Sequence, residues 1–210
     1  MNKDLRVDHV LTSGTFSLDG GTWDVDNNVW VLGDDREVIV IDAAHEAQPI
    51  IDAVDGRKVK AIVCTHAHND HITVAPELQE KLDAPLLVHP GDQMLWDQSW
   101  PDLAHEDLAH GQRLEIAGTE VVIINTPGHS PGSCCLYVPE AAELFSGDTL
   151  FSGGPGATGR SYSDFDTIIN SIRDNLLTLP AETTVRTGHG DHTTIGREAP
   201  HLEEWIRRGY

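Results

Sequence analysis

Four side chains able to hold a metal ion, His66, His68, Asp70 and His71, stand within six consecutive positions directly after the apolar run Ala61-Ile62-Val63-Cys64. That density of nitrogen and oxygen donors is hard to explain without metal, and it sets a condition on the fold. Imidazole and carboxylate suit zinc, and also iron or manganese. His66 and His68 can aim at one ion, and the next pair, Asp70 and His71, at a second ion beside it. Two coordination shells need further donors, which must come from elsewhere in the chain. The sequence offers three, each at the end of an apolar run and beside glycine. They are His129 in Thr126-Pro127-Gly128-His129-Ser130-Pro131-Gly132-Ser133, Asp148 in Phe145-Ser146-Gly147-Asp148-Thr149-Leu150, and His189 in Thr187-Gly188-His189-Gly190. Glycine next to a donor lets the backbone turn sharply and come close to an ion.

Short apolar runs bounded by Gly, Asp and Pro predict buried strands at Val29-Leu32, Val38-Ile41, Ala61-Cys64 and Leu86-Val88. Helices are expected from Gln48 to Val54, where Pro49 opens the element, and over Ala75 to Leu82, with Pro85 following. The second half predicts strands over Arg113–Ile116, Glu120–Asn125, Ser133–Val138, Ala142–Ser146 and Val185–Thr187. Its helices run from about Asp164 to Leu179 and from near Ile195 to Arg208, the last packing through Leu202, Trp205 and Ile206. Gly91–Gly111 and Gly153–Ser163 are the least regular stretches. Alternating β and α predicts helices layered over sheet, and no Pro/Gly/Ser-rich linker divides the 210 residues, so one domain spanning 1–210 is expected.

A net charge of −20, from 14 Lys+Arg against 34 Asp+Glu, repels phosphate backbones and anionic membranes. Nucleic acid is therefore not an expected partner. Three cysteines without disulfide or Cys-x-x-Cys spacing fit a reducing cytoplasm. Met1-Asn2-Lys3-Asp4 lacks the apolar stretch of a secretion signal, and no run of about eighteen apolar residues occurs. The expectation is a cytoplasmic protein acting on a small molecule, with its oligomeric state left open.

In order, the motifs His-x-His-x-Asp-His, Gly-His-Ser-Pro-Gly, Ser-Gly-Asp-Thr-Leu and Gly-His-Gly resemble the metallo-β-lactamase superfamily, and within it the small glyoxalase II-like hydrolases, over nearly the whole chain. The resemblance implies an α/β fold, an αββα sandwich of two mixed β-sheets flanked by helices, with metals at one edge. It also implies a ligand set: His66, His68 and His129 on the first metal, Asp70, His71 and His189 on the second, Asp148 bridging both. Seven donors also suit two ions that share one carboxylate and one solvent oxygen. A water shared by two zinc ions roughly 3.5–4 Å apart loses a proton near neutral pH and becomes the attacking hydroxide. Asp70 would then be catalytic as well as ligating, orienting that hydroxide. Asp42, after Val40-Ile41, matches an acidic residue that braces the metal loop in the family.

These motifs favour a thioester as substrate. Asp148 argues against a true β-lactamase, since the antibiotic hydrolases lack the bridging aspartate, while lactonases and esterases share the metal residues. Where the family shows Gly-Arg-Thr-Asp, this chain has Gly153-Gly154-Pro155-Gly156-Ala157-Thr158-Gly159-Arg160-Ser161. That segment resembles actinobacterial hydrolases associated with mycothiol-dependent formaldehyde oxidation, and implies an S-acyl or S-formyl adduct of a low-molecular-weight thiol. Arg160 is a candidate for binding a carboxylate or sugar hydroxyls, and Trp96, Trp100 and Tyr162 for walling the pocket. The rival class is a persulfide dioxygenase with a single iron on His66, His129 and Asp148. The other histidines, His9, His45, His89, His105, His110, His192 and His201, share no spacing and fall outside the expected site.

Overall fold

The computed structural model describes residues 5–209; the Met1–Asp4 start and Tyr210 lie outside the described residues. One sheet contains β1 (Arg6–Leu18), β2 (Gly21–Gly33), β3 (Glu37–Ile41), β4 (Lys58–Val63), β5 (Leu86–Val88) and β6 (Glu106–Asp107), neighbours in that order. β1, β2 and β3 are antiparallel, and β3 through β6 run parallel. The parallel pairs follow from the helical crossovers α1 (Ala47–Val54), between β3 and β4, and α2 (Ala75–Leu82), between β4 and β5. α3 (Gln93–Ser99) lies inside the stretch expected to be irregular, anchored by buried Leu95 and Trp96.

The second sheet is built from β7 (Arg113–Ile116), β8 (Thr119–Asn125), β9 (Cys134–Val138) and β10 (Glu143–Gly147), followed by the small hairpin β11 (Leu150–Phe151) and β12 (Gly154–Pro155), then β13 (Thr184–Thr187) and β14 (Thr193–Thr194). Its spatial order is β14-β13-β10-β9-β8-β7, mixed because β13 returns parallel to β10 after α4 (Phe165–Ser171). α5 (Ile195–Glu198) and α6 (Leu202–Arg208) close the chain.

Side-chain alternation sorts the residues into layers. Val38 and Val40 face α1 and α2, while Ile39 and Ile41 on the same strand face the second sheet, where they meet Ile123, Leu136 and Phe145. On the far side, Cys135, Leu144 and Val185 pack against Ile168, Ile172 and Trp205. The result is the expected α/β/β/α arrangement, two mixed sheets flanked by helices.

Three local expectations change. No apolar run marks the chain before Val29, yet β1 and β2 form a hairpin of 13-residue strands, much of it exposed, so polar alternation hid it. The predicted Asp164–Leu179 helix begins as expected, with Asp164 accepting a hydrogen bond from Thr167 N at 2.8 Å. Over Ile172–Leu176 it widens into a π-turn, where Asn175 Nδ2 donates to Ser171 O at 3.1 Å. The last helix is broken at Ala199–His201, where Pro200 brings no N–H. Trp205 is its buried anchor, and Ile206, expected on the packing face, is exposed.

Parallel strands within each sheet end at a common edge, where loops meet and ligand sites form. Here β3 and β4 end in Asp42 and the His66 loop, while β10 and β13 end in Asp148 and His189. Two backbone hydrogen bonds join the sheets at this edge, Cys134 N to Thr65 O at 2.8 Å and Asn28 N to Gly188 O at 2.7 Å.

Candidate metal centre

The structure brings all seven expected donors together. His66, His68 and His129 form one group within mutual reach, and Asp70, His71 and His189 another; His66, His71 and Asp148 form a third that joins them. Within the first group, His66 Nε2 lies 3.0 Å from His68 Nδ1, and His68 Nδ1 lies 3.0 Å from His129 Nε2. Asp148 sits between, with Oδ2 3.5 Å from His129 Nε2 and 3.3 Å from His189 Nε2, and Oδ1 3.5 Å from His71 Nε2. Asp70 Oδ2 is 3.5 Å from His71 Nε2 and 3.4 Å from His189 Nε2. Tetrahedral ligands at zinc bond lengths stand about 3.3 Å apart, so these spacings fit metal coordination.

Hydrogen bonds on the outer side of His66, His71, His129 and His189 determine which nitrogen of each faces inward. His71 Nδ1 lies 2.8 Å from Asp42 Oδ2, His129 Nδ1 2.8 Å from Ala157 O, and His189 Nδ1 2.7 Å from Asp26 O. Each partner only accepts, so each Nδ1 carries a proton and the ring turns its Nε2 inward. Thr65 Oγ1 donates to Asp42 Oδ2 at 3.0 Å and receives His66 Nδ1 at 3.1 Å, which turns His66 Nε2 inward as well. His68 is reversed, its Nδ1 inward. Asp70 Oδ1 and Asp148 Oδ1 are buried without a hydrogen-bond partner. Lone pairs and carboxylate oxygens converging in a buried space repel unless a cation lies among them.

The titration behaviour follows. Burial, reinforced by His71 and His68, holds His66 well below its ordinary value, and burial with His129 holds His68 at about 3. Burial also opposes charge on His71 and His189. There Asp70, Asp148 and Asp42 outweigh it for His71, raising it well above the usual range, and Asp148 with Asp70 raises His189 to about 10. Burial works against ionising Asp70, but His71, His189 and Asn27 hold it at about 2. Asp148 is ionised more firmly still, by His189 and His71 against its burial. The cluster thus draws positive charge toward its two carboxylates.

The loops carrying these donors are locked to one another. Asp42, buried and in the left-handed region at φ 69°, accepts from Thr65 N at 2.7 Å as well as from His71, bracing the loop as its position implied. A side chain at Gly188 would collide with Asp148 Oδ1, so only glycine lets β13 pass beside that carboxylate. Asp92 was not apparent in the sequence because it lies in the stretch read as irregular. It is buried and accepts from Ala67 N at 2.9 Å, Ser130 Oγ at 2.7 Å and Gly132 N at 2.6 Å, joining the His66–His68 loop to the His129 loop. His45, outside the expected site, has Nε2 2.8 Å from Asn27 Oδ1, and Asn27 Nδ2 donates to Asp70 Oδ2 at 3.1 Å. Asn27 and His45 were invisible because nothing local links them to Asp70.

Over the donors lies a cavity of about 220 Å³. Phe16 and Trp23, directly paired across the β1–β2 hairpin, and Val25 form its apolar wall, and Phe16 packs on His68 with ring centroids 5.1 Å apart. Arg160 lines the mouth. Trp96, Trp100 and Tyr162 do not line it. Trp96 is fully buried, the Trp100 indole donates to Ile72 O at 2.8 Å while packing on the α1/α2 core, and Tyr162 is exposed. The wall comes instead from the hairpin, whose apolar residues are too dispersed in sequence to read as a unit.

The metallo-beta-lactamase superfamily model matches residues 22–189. The chain is 34% identical over 183 residues to the probable metallo-hydrolase YqgX of Bacillus subtilis, covering 80% of this chain and 87% of that protein. It is 30% identical over 184 residues to the hydroxyacylglutathione hydrolase GloC of Haemophilus influenzae, covering 80% and 87%. Among solved structures it is similar to TTHA1623 in a di-iron-bound form, with TM-score 0.76, 34% identity and coverage of 83% and 93%. With this fold, this His/Asp metal-binding cluster and these relatives, the chain belongs to the metallo-β-lactamase superfamily of metal-dependent hydrolases.

Proposed function

We propose that this chain hydrolyses S-acyl thioesters of a low-molecular-weight thiol with two divalent cations, zinc foremost, iron and manganese being compatible with the same donors. The observation that carries the reading is the inward convergence of five imidazole nitrogens and two carboxylates, with two buried carboxylate oxygens lacking any partner. His66, His68 and His129 would hold one cation, Asp70, His71 and His189 the other, and Asp148 both. Bound there, the cations supply Lewis acidity toward an acyl oxygen and make water acidic.

Asn27, itself held by His45, pins Asp70 Oδ2 and leaves Oδ1 free. That oxygen orients the attacking water and accepts its proton. Water adds to the acyl carbon, the carbon–sulfur bond breaks, and the products are a carboxylic acid and the free thiol. Phe16, Trp23 and Val25 offer an apolar surface to the substrate and exclude water from that side. The relative named hydroxyacylglutathione hydrolase supports a thioester. A chain of net charge −20 favours a small molecule over nucleic acid. Cys64, Cys134 and Cys135 are free and buried, which fits a reducing cytoplasm, and among the described residues no helix is long and apolar enough to cross a membrane.

The test is a panel of acyl thiols on different carriers, with a lactone and an ester, assayed beside metal content in protein purified without chelators. Thioester turnover with two ions per chain is expected. One iron with oxygen uptake on a thiol persulfide would replace this reading with the dioxygenase, and turnover of the lactone or ester alone would move it to that class.

A further inference from the structure

We propose that the cavity over the metal centre selects anionic acyl thiols, with Arg160 binding a carboxylate of the substrate; this rests on the thioesterase reading above. Among the described residues Arg160 is the only lysine or arginine lining that cavity. Its guanidinium lies 3.9 Å above the ring centroid of Trp23, so one face is covered by indole while the N–H edge stays open. A planar guanidinium grips a carboxylate through two parallel N–H donors, and stacking sets its plane in advance.

Arg6, Arg36, Arg57, Arg113, Arg173 and Arg186 pair with carboxylates, while Arg197 and Arg207, which form no salt bridge among the described residues, do not line this cavity. Arg160 forms no salt bridge among the described residues; Asp19, held below its ordinary value first by Ser161 and then by Arg160, lies nearby without closing an ion pair on it. A guanidinium at the cavity with no ion pair closed on it is suited to an anion from outside. Its placement is not loose. Ser163 Oγ donates to Arg160 O at 2.7 Å and accepts from Arg160 N at 3.1 Å. Ser161 N donates to Asp19 Oδ2 at 3.0 Å, tying the loop to the hairpin that carries Trp23, and Ala157 O receives His129 Nδ1 at 2.8 Å, tying it to the metal centre. The distance from cation to metal donors is therefore held, and the carbon body of the substrate lies between them along Phe16 and Val25.

The experiment uses the metal-loaded protein and three thioesters: S-acetyl-N-acetylcysteine, its neutral methylamide, and the S-succinyl derivative of that methylamide, which moves the carboxylate to the acyl end. The wild type is expected to favour one of the two acids over the neutral compound by about tenfold to a hundredfold in kcat/KM, as for a charge-assisted pair, and the favoured acid shows which end Arg160 reads. Arg160→Gln should bring that acid level with the neutral compound, and Arg160→Lys should restore part of the difference. Equal kcat/KM across the wild-type panel, or a preference that survives Arg160→Gln, overturns the proposal. If no thioester turns over, the thioesterase reading fails instead. Calorimetric binding of the matching thioethers, S-ethyl-N-acetylcysteine, its methylamide, and the methylamide bearing S-carboxypropyl, then decides the inference by the same wild-type and Arg160→Gln comparison.

Discussion

Asp92→Ala tests the lock between the two loops that carry His66, His68 and His129. The carboxylate accepts from two backbone N–H groups, Ala67 and Gly132, and from Ser130 Oγ, all buried. Ser130 keeps Ser133 Oγ at 2.8 Å, so the alanine variant strands the two backbone donors. At about 1–3 kcal/mol for each buried unsatisfied group, the gross cost is about 2–6 kcal/mol. Part is offset, because burial raises the Asp92 carboxyl above its ordinary value and removing it relieves that desolvation. A net loss of about 2–4 kcal/mol lowers the melting temperature of a chain this size by about 5–15 °C. Asp92→Asn should lose about half as much, since its carbonyl can serve Ala67 and Ser130 while only Gly132 is stranded. Freed loops should also weaken metal binding about tenfold to a hundredfold. Scanning calorimetry of the chelator-treated protein, with metal content after dialysis, reads both effects. A melting point within about 2 °C of wild type and unchanged metal retention for Asp92→Ala would refute the reasoning, because the loops would then be held by something else.

Asp148→Ala, which removes the carboxylate shared between the donor groups, should leave at most one tightly bound ion by elemental analysis; two ions at unchanged affinity would contradict the bridge. Asp70→Ala should lower thioester kcat by about a hundredfold or more with the far-ultraviolet circular dichroism intact, and normal turnover would mean that another group orients the water. Gly188→Ala should lose metal while melting near wild type, because the added methyl displaces Asp148 at the cluster's centre; full metal content would show that β13 can shift to make room. Asp34 accepts from Glu37 N at 2.9 Å and Arg36 N at 2.8 Å, which hold it at about 2. A folded-state value below the unfolded one stabilises above about pH 4 and loses that contribution as pH falls toward 2. The stability gap between wild type and Asp34→Asn should therefore close over that window, and a gap constant from pH 6 to pH 2 would disprove the linkage.

Strand and helix positions were legible wherever burial left an apolar run or a period, as in Val38–Ile41 and Ala75–Leu82, because both are properties of neighbouring residues. The hairpin of β1 and β2 was illegible for the same reason, since much of it faces water and its period carries little apolar contrast. The helix ending at Arg208 shows the complementary limit: its pattern continues through Pro200, but its backbone does not.

The sequence by itself determined the chemistry available to this protein: seven donors, their glycine neighbours and the strand ends that carry them are written in local motifs. Tertiary structure alone decided which nitrogen of each ring faces inward, since those partners are remote; His189 depends on Asp26, 163 residues away. It also decided that Asp92 ties two loops together, that His45 acts on Asp70 through Asn27, and that Trp23 holds Arg160 while Trp100 turns into the core. A donor's identity is fixed by its own residue, but its orientation and charge are set by whichever groups the packed chain brings against it.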